Sequence, residues 1–282
     1  MATVAIKQLR EDSSTGLSTA VMKAKFDQEW QTLLQLNHPR IPKMLDSFSQ
    51  DDSLYYVMEF IEGVSLAQKL RDLKGQGRRF PEVLLIEYGL QILDIVQYLH
   101  GLEPPLLHRD IKPENLIVRD ADGELTLVDF GLARDVSSSL GQNTKTQVGT
   151  LGFAALEQVK GKPEKRSDLY GVGATLWFLL AGEVPAPFDI RPVEEFRNDV
   201  FPSLAEVVNR ACQTNPERRF MSAAKMELAL RKVHSELTGT PLDVRAQQLF
   251  VEESPIQVQL TAPAPMSSAQ FLFYMAIVTV LV

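Results

Sequence analysis

The stretch His108-Arg109-Asp110-Ile111-Lys112-Pro113-Glu114-Asn115 is followed, 19 residues after Asp110, by Asp129-Phe130-Gly131. Between them lie short strand-like runs at 116–119 and 125–128, flanking a turn at 120–123. Taken singly, each polar group has an ordinary reading: Asp110 is a solvated loop carboxylate, and Asp129-Phe130-Gly131 is a strand end with a turn. Upstream, residues 2–9 are apolar and β-branched with a single charge and predict a strand, and the polar run 11–18 with Gly16 predicts a loop. Phe26, Trp30, Leu33, Leu34 and Leu36 then recur at helical spacing as far as His38-Pro39, where proline disfavours further helix. Runs 41–49 and 53–61, separated by Gln50-Asp51-Asp52, predict a strand pair. After Gly63 the pattern turns helical. Pro81 opens a long helix with Leu84, Leu85, Tyr88, Ile92, Val96 and Leu99 on one face, and further helices are predicted at 167–181, 203–213 and 222–237.

In conjunction, the two polar segments resemble the catalytic loop and metal-binding motif of eukaryotic-type (Hanks-type) serine/threonine protein kinases. Each fixed residue is matched by chance roughly one time in ten to twenty at average usage, so more than eight in order argue against coincidence. The resemblance implies an α+β, two-lobed protein kinase-like fold, with a truncated small N-terminal sheet lobe and a mainly helical C-terminal lobe. It implies ATP and Mg²⁺, and transfer of the γ-phosphate to Ser/Thr hydroxyls of protein substrates. Asp110 is then the carboxylate that orients the attacking hydroxyl and accepts its proton, and Lys112 contacts the γ-phosphate. Asn115 and Asp129 supply the hard oxygen ligands that magnesium prefers. Val4-Ala5-Ile6-Lys7 resembles the third small-lobe strand, whose lysine binds the α- and β-phosphates. Glu29, on the next helix, is expected to hold Lys7 in an ion pair, and Leu33, four residues on, to pack toward Phe130. Met58-Glu59-Phe60-Ile61 resembles the segment joining the lobes. The backbone of Glu59 and Ile61 would hydrogen-bond adenine, with Ala5 and Ile117 sandwiching its ring.

Downstream, Gly149-Thr150-Leu151-Gly152-Phe153-Ala154-Ala155-Leu156-Glu157 resembles the family's substrate-docking segment, with Leu156 where proline is usual. That departure touches local rigidity more than chemistry. Glu157 is expected to pair with Arg219, and Asp168 to anchor the backbone of the catalytic loop. Their ordinary readings are a surface charge for Arg219 and, for Asp168, an acid in a first helical turn. Ser137, Ser138, Ser139, Thr144 and Thr146 are candidates for regulatory phosphorylation, with Arg109 as the residue to hold the phosphate. Singly, each of these hydroxyls reads as a solubilising loop residue.

The bulk properties agree with a globular enzyme: 282 residues, 45% hydrophobic and 23% charged, are enough to bury a substantial core. A net charge of −7 with no basic run argues against nucleic acid as the main partner. The single cysteine, Cys212, excludes an intramolecular disulfide, and no Cys/His spacing suggests zinc. With no secretory signal pattern over residues 1–9, the expected setting is cytoplasmic.

The family begins with two strands joined by a glycine-rich loop, and only six residues precede Lys7. The expectation is a small-lobe sheet of three strands with an exposed edge at the lysine strand, in a fragment or N-terminally truncated form. A non-catalytic binding module and an aminoglycoside-phosphotransferase-like enzyme are the alternatives. The expected organisation is a kinase domain over 1–237, divided into a small lobe 1–62 and a large lobe 63–237. A linker follows over 238–270 with Pro241, Pro255, Pro263 and Pro265, and then an apolar tail over 271–282. As a helix the tail would rise only about 18 Å against a hydrocarbon core of roughly 30 Å. Its ordinary reading is a short apolar helix packed on the protein; the proline-rich linker and the apolar run to the last residue favour the start of a membrane span cut short, attaching the chain to a membrane.

Overall fold

Strand β1 (Val4–Leu9) pairs antiparallel with β3 (Ser53–Glu59), placing Lys7 opposite Tyr56 and Ala5 opposite Met58. On its other side β3 pairs with β2 (Met44–Gln50), so among the described residues the sheet order is β1-β3-β2, with the lysine strand at an edge. The computed structural model describes residues 3–9, 30–50, 53–130 and 151–240. Glu29, Gly131, the hydroxyls between 137 and 146, Gly149 and Thr150 lie outside the described residues, as do the linker beyond residue 240 and the tail.

Both predicted strands of the pair are shorter than the apolar runs suggest. Residues 38–41 form a turn closed by the Ile41 amide donating to the His38 carbonyl at 3.1 Å, and Pro42 has no amide to give a ladder. Beyond Glu59 the chain leaves the sheet and re-enters strand structure as β4 (Gly63–Ser65). With β5 (Leu116–Arg119) and β6 (Leu125–Leu127), β4 makes a second antiparallel sheet in the order β4-β5-β6. Gly63 adopts φ 155°, and a Cβ there would stand 2.1 Å from the Val118 carbonyl oxygen. Only glycine lets the connecting segment close onto β5.

Helix α1, described over residues 30–34, ends before His38-Pro39. Helix α2 (Leu66–Gly75) was not apparent in the sequence. Its polar composition hides it, but Ser65 caps it by accepting the Gln68 amide at 3.2 Å, and Leu66 and Leu70 share its buried side. Helix α3 (Glu82–His100) buries far more than the single face its periodicity shows: Ile86, Leu93 and Ile95 are as inaccessible as Leu85, Ile92 and Val96. Helix α5 (Lys165–Ala181), which follows the short α4 (Leu156–Val159), buries thirteen of its seventeen residues, as a helix enclosed on all sides must. Helices α6 (Pro202–Ala211) and α7 (Ala223–Thr238) complete the larger region. Leu85, Ile92, Leu169, Leu176, Leu204 and Leu230 belong to the same apolar core. Among the described residues, no helix is long and apolar enough to cross a membrane.

Candidate active site

The loop 108–115 joins α3 to β5 and ends in a 3-10 turn, Pro113–Asn115. Its geometry begins at Arg109, whose φ of 65° puts an L residue in the left-handed region, at a cost of roughly 1–2 kcal/mol. Neighbouring side chains hold it there. The Asp168 carboxylate, in the first turn of α5, accepts the Arg109 amide at 2.8 Å and the His108 amide at 3.0 Å, and it bonds His100 Nε2 at 2.8 Å. Asp168 is 2% exposed, and these three partners are what make burial of a carboxylate tolerable. From the other side, Gln158 Nε2 donates to the Arg109 carbonyl at 2.7 Å.

Asp110 follows directly and is almost buried. Lys112 Nζ donates to both of its carboxylate oxygens, at 3.1 and 3.0 Å. Asn115 Nδ2 donates to the Asp110 carbonyl at 2.8 Å and to Asp110 Oδ2 at 2.9 Å. Both amide hydrogens of Asn115 are thus directed at Asp110, which leaves Oδ1 as the oxygen able to accept a cation. The Val128 amide donates to the Asn115 carbonyl at 2.8 Å, so the residue preceding Asp129 is tied to the same loop.

Asp129 also lies in the left-handed region, at φ 64°. Its carboxylate forms an ion pair with Lys7, whose Nζ also donates to the Phe130 carbonyl at 3.4 Å. Lys7 thereby reaches from the edge strand of the small sheet to the segment after β6. Leu33 and Phe130 line one recess beside Lys7, together with Met44, Tyr56 and Met58. The Phe130 ring packs on the His108 ring with centroids 4.7 Å apart, and this contact joins the Asp110 and Asp129 clusters. His108 is fully buried, and burial holds its imidazole well below the usual histidine range. Its Nδ1 accepts the Asp110 amide at 3.3 Å, so the ring is neutral with its proton on Nε2.

Ala5 and Ile117 are both half-buried, on β1 and β5, and Glu59 and Ile61 stand where β3 gives way to the connection to β4. The Glu59 amide is already committed to the Lys43 carbonyl at 2.9 Å. Arg219 is sealed from solvent and donates to Glu157 at 2.6 and 3.1 Å, while Ser167 donates to Glu157 at 2.7 Å. Burial alone would push the Glu157 carboxyl up, but the hydrogen bonds from Arg219 and Ser167 outweigh it and hold the group below the usual carboxylate range. Leu156 takes the first position of α4 after Ala155, a place where proline is favoured but an ordinary residue costs little. His100 and Gln158 carry no signal in the sequence. Each acts through one hydrogen bond to a residue dozens of positions away, and no local pattern announces that.

The protein kinase domain family model matches residues 1–230. Serine/threonine-protein kinase C of Synechocystis is 34% identical over 255 residues, covering 86% of this chain and 46% of that protein. Serine/threonine-protein kinase PknA of Nostoc is 33% identical over 239 residues, covering 80% of this chain and 41% of that protein. The chain therefore spans less than half the length of these curated relatives. The crystal structure of the PknI kinase domain of Mycobacterium tuberculosis aligns with a TM-score of 0.65 and 25% identity, covering 81% of this chain and 85% of that one. The architecture, the buried loop with its left-handed Arg109 and the family match converge: this chain belongs to the Hanks-type serine/threonine protein kinases.

Proposed function

We propose that this chain transfers the γ-phosphoryl group of ATP to serine and threonine hydroxyls of protein substrates. The observation that carries the reading is the fixed Asp110 carboxylate. Three donor contacts from Lys112 and Asn115 hold it in one orientation on a strained loop, as a group that must align an incoming hydroxyl requires. Asp110 would orient the hydroxyl and take its proton, and Lys112, already beside it, would meet the transferred phosphoryl group. Lys7 would bind the α- and β-phosphates, with Glu29 as its expected partner. The donor set fits Mg²⁺: Asn115 Oδ1 and the Asp129 carboxylate are hard oxygens, and the ion when bound neutralises charge on the phosphates. Adenine would lie between Ala5 and Ile117, against Glu59 and Ile61. Since the Glu59 amide is engaged by Lys43, Glu59 would contribute its carbonyl.

The same reading assigns a kinase domain to residues 1–237, with the lobes meeting at residues 62 and 63. The family match to residue 230 and the end of α7 at Thr238 support that boundary. The test is transfer of radiolabel from γ-labelled ATP to a protein mixture, with Asp110→Asn as the control. Loss of about 10²–10⁴-fold in the variant is expected for removal of a positioned general base. Equal labelling by both proteins would overturn the assignment.

A further inference from the structure

Gln158 has no place in the chemistry assigned above, yet its side chain is buried at 6% exposure and makes one long-range contact, to the Arg109 carbonyl at 2.7 Å. That carbonyl belongs to the peptide unit joining Arg109 to Asp110. The other end of the same unit, the Asp110 amide, is held by His108 Nδ1 at 3.3 Å, the weaker of the two bonds. Gln158 therefore contributes most to fixing the plane of the peptide that carries Asp110. A rotation of that plane would swing the Asp110 side chain, and φ at Arg109 already lies in the left-handed region that L residues adopt rarely.

The helix bearing Gln158 is itself fixed. Glu157 is tied to buried Arg219 and to Ser167 on α5, and residues 151–155 lead directly into the helix. Resting on the phosphoryl-transfer reading, we propose that Gln158 is a positioning residue that couples the segment 151–157, where the protein substrate would dock, to the orientation of Asp110. Asp168 holds the Arg109 amide from α5, which meets the segment through Ser167, whereas Gln158 reaches the Arg109 carbonyl from the helix that closes the segment itself. Gln158 supplies the link.

The experiment uses the full chain with Gln158→Met, which keeps length and loses the donor, and Gln158→Glu, which keeps shape and can donate only when protonated. Hydrogen–deuterium exchange is followed across the molecule, and kcat and KM for ATP are measured. Expected for Gln158→Met are faster exchange confined to residues 108–112, a fall in kcat of about tenfold, and KM for ATP within about twofold. Gln158→Glu should lose part of its deficit relative to the parent as pH falls and its carboxyl takes a proton. Unchanged exchange and kcat in Gln158→Met would overturn the proposal, as would exchange raised equally in α3, α5 and the loop. A parent chain that labels no protein would sink the transferase reading alone, and the exchange contrast would still decide the role of Gln158.

Discussion

Asp168 and His108 stand sixty residues apart in sequence, and Asp168 Oδ2 accepts the His108 amide at 3.0 Å while Oδ1 accepts that of Arg109 at 2.8 Å. One carboxylate thus satisfies two consecutive amides where the chain enters the left-handed region at Arg109. Asp168→Ala leaves both donors, and His100, without their acceptor. Each buried unsatisfied group costs about 1–3 kcal/mol, so a loss of about 3 kcal/mol or more is expected. Urea unfolding with an unchanged m-value measures it. A variant within about 1 kcal/mol of the parent would contradict the account.

The Glu157–Arg219 pair is the second long-range tie. Arg219 is inaccessible, donates to the carbonyls of Gln213, Thr214 and Arg166 as well as to Glu157, and lies 4.9 Å over the Tyr170 ring. Glu157→Gln leaves a buried guanidinium without its counter-charge and is expected to cost about 3–5 kcal/mol. Because the folded-state Glu157 carboxyl is depressed, its stabilisation is complete above the ordinary value of 4.5 and is lost as pH falls below it. Acid unfolding of the parent should therefore steepen below that pH, and the steepening should be weaker in Glu157→Gln.

Packing of α5 against α6 depends on Gly173. A Cβ there would come within 2.5 Å of Ala211 Cβ and 3.0 Å of the Ala211 carbonyl carbon. Gly173→Ala should cost about 1–3 kcal/mol by overpacking. The double variant Gly173→Ala/Ala211→Gly removes the nearest clash and should recover part of that loss. Additive destabilisation in the double variant would show that the helices do not meet as described.

Local signals explain how much of this was legible in the sequence. The long helix after Pro81, the strands at 116–119 and 125–127 and the clustering of Asp110, Lys112 and Asn115 follow from periodicity and from residues close in the chain. Helix α2 escaped because only a few apolar residues mark its buried side, and its cap, Ser65, lies inside a strand as well. The apolar runs overstate the strand pair because apolarity persists past the points where the ladder stops, at Pro42, which has no amide to give, and at residues 60–62. The resemblance points to Asp168 as the anchor of the loop backbone, but the Gln158 contact with Arg109 and the ion pair of Lys7 with Asp129 are set by how distant segments come together, which no window of sequence contains. The expected Lys7–Glu29 pair falls on a residue outside the described ones.

The His108 ring should give the protein a pH-dependent stability near neutrality. Burial lowers its folded-state pKa below the ordinary 6.5, with Asp168, Asp110 and Asp129 opposing that shift and Lys7 reinforcing it. In the fold the ring stays neutral, its Nδ1 accepting the Asp110 amide; once unfolded, it takes a proton below 6.5. The unfolded state then binds more protons, so stability is full above pH 6.5 and declines as pH falls toward the lower folded value. The slope is about 1.4 kcal/mol per pH unit for one proton. His38 is also lowered, chiefly by burial, and acts in the same direction. His108→Phe keeps an aromatic ring against Phe130 and removes one titrating group. Urea midpoints measured from pH 7.5 to 5.5 should therefore fall less steeply in His108→Phe than in the parent, by about one proton. Identical slopes in the two proteins would mean that the buried imidazole does not stay neutral in the fold.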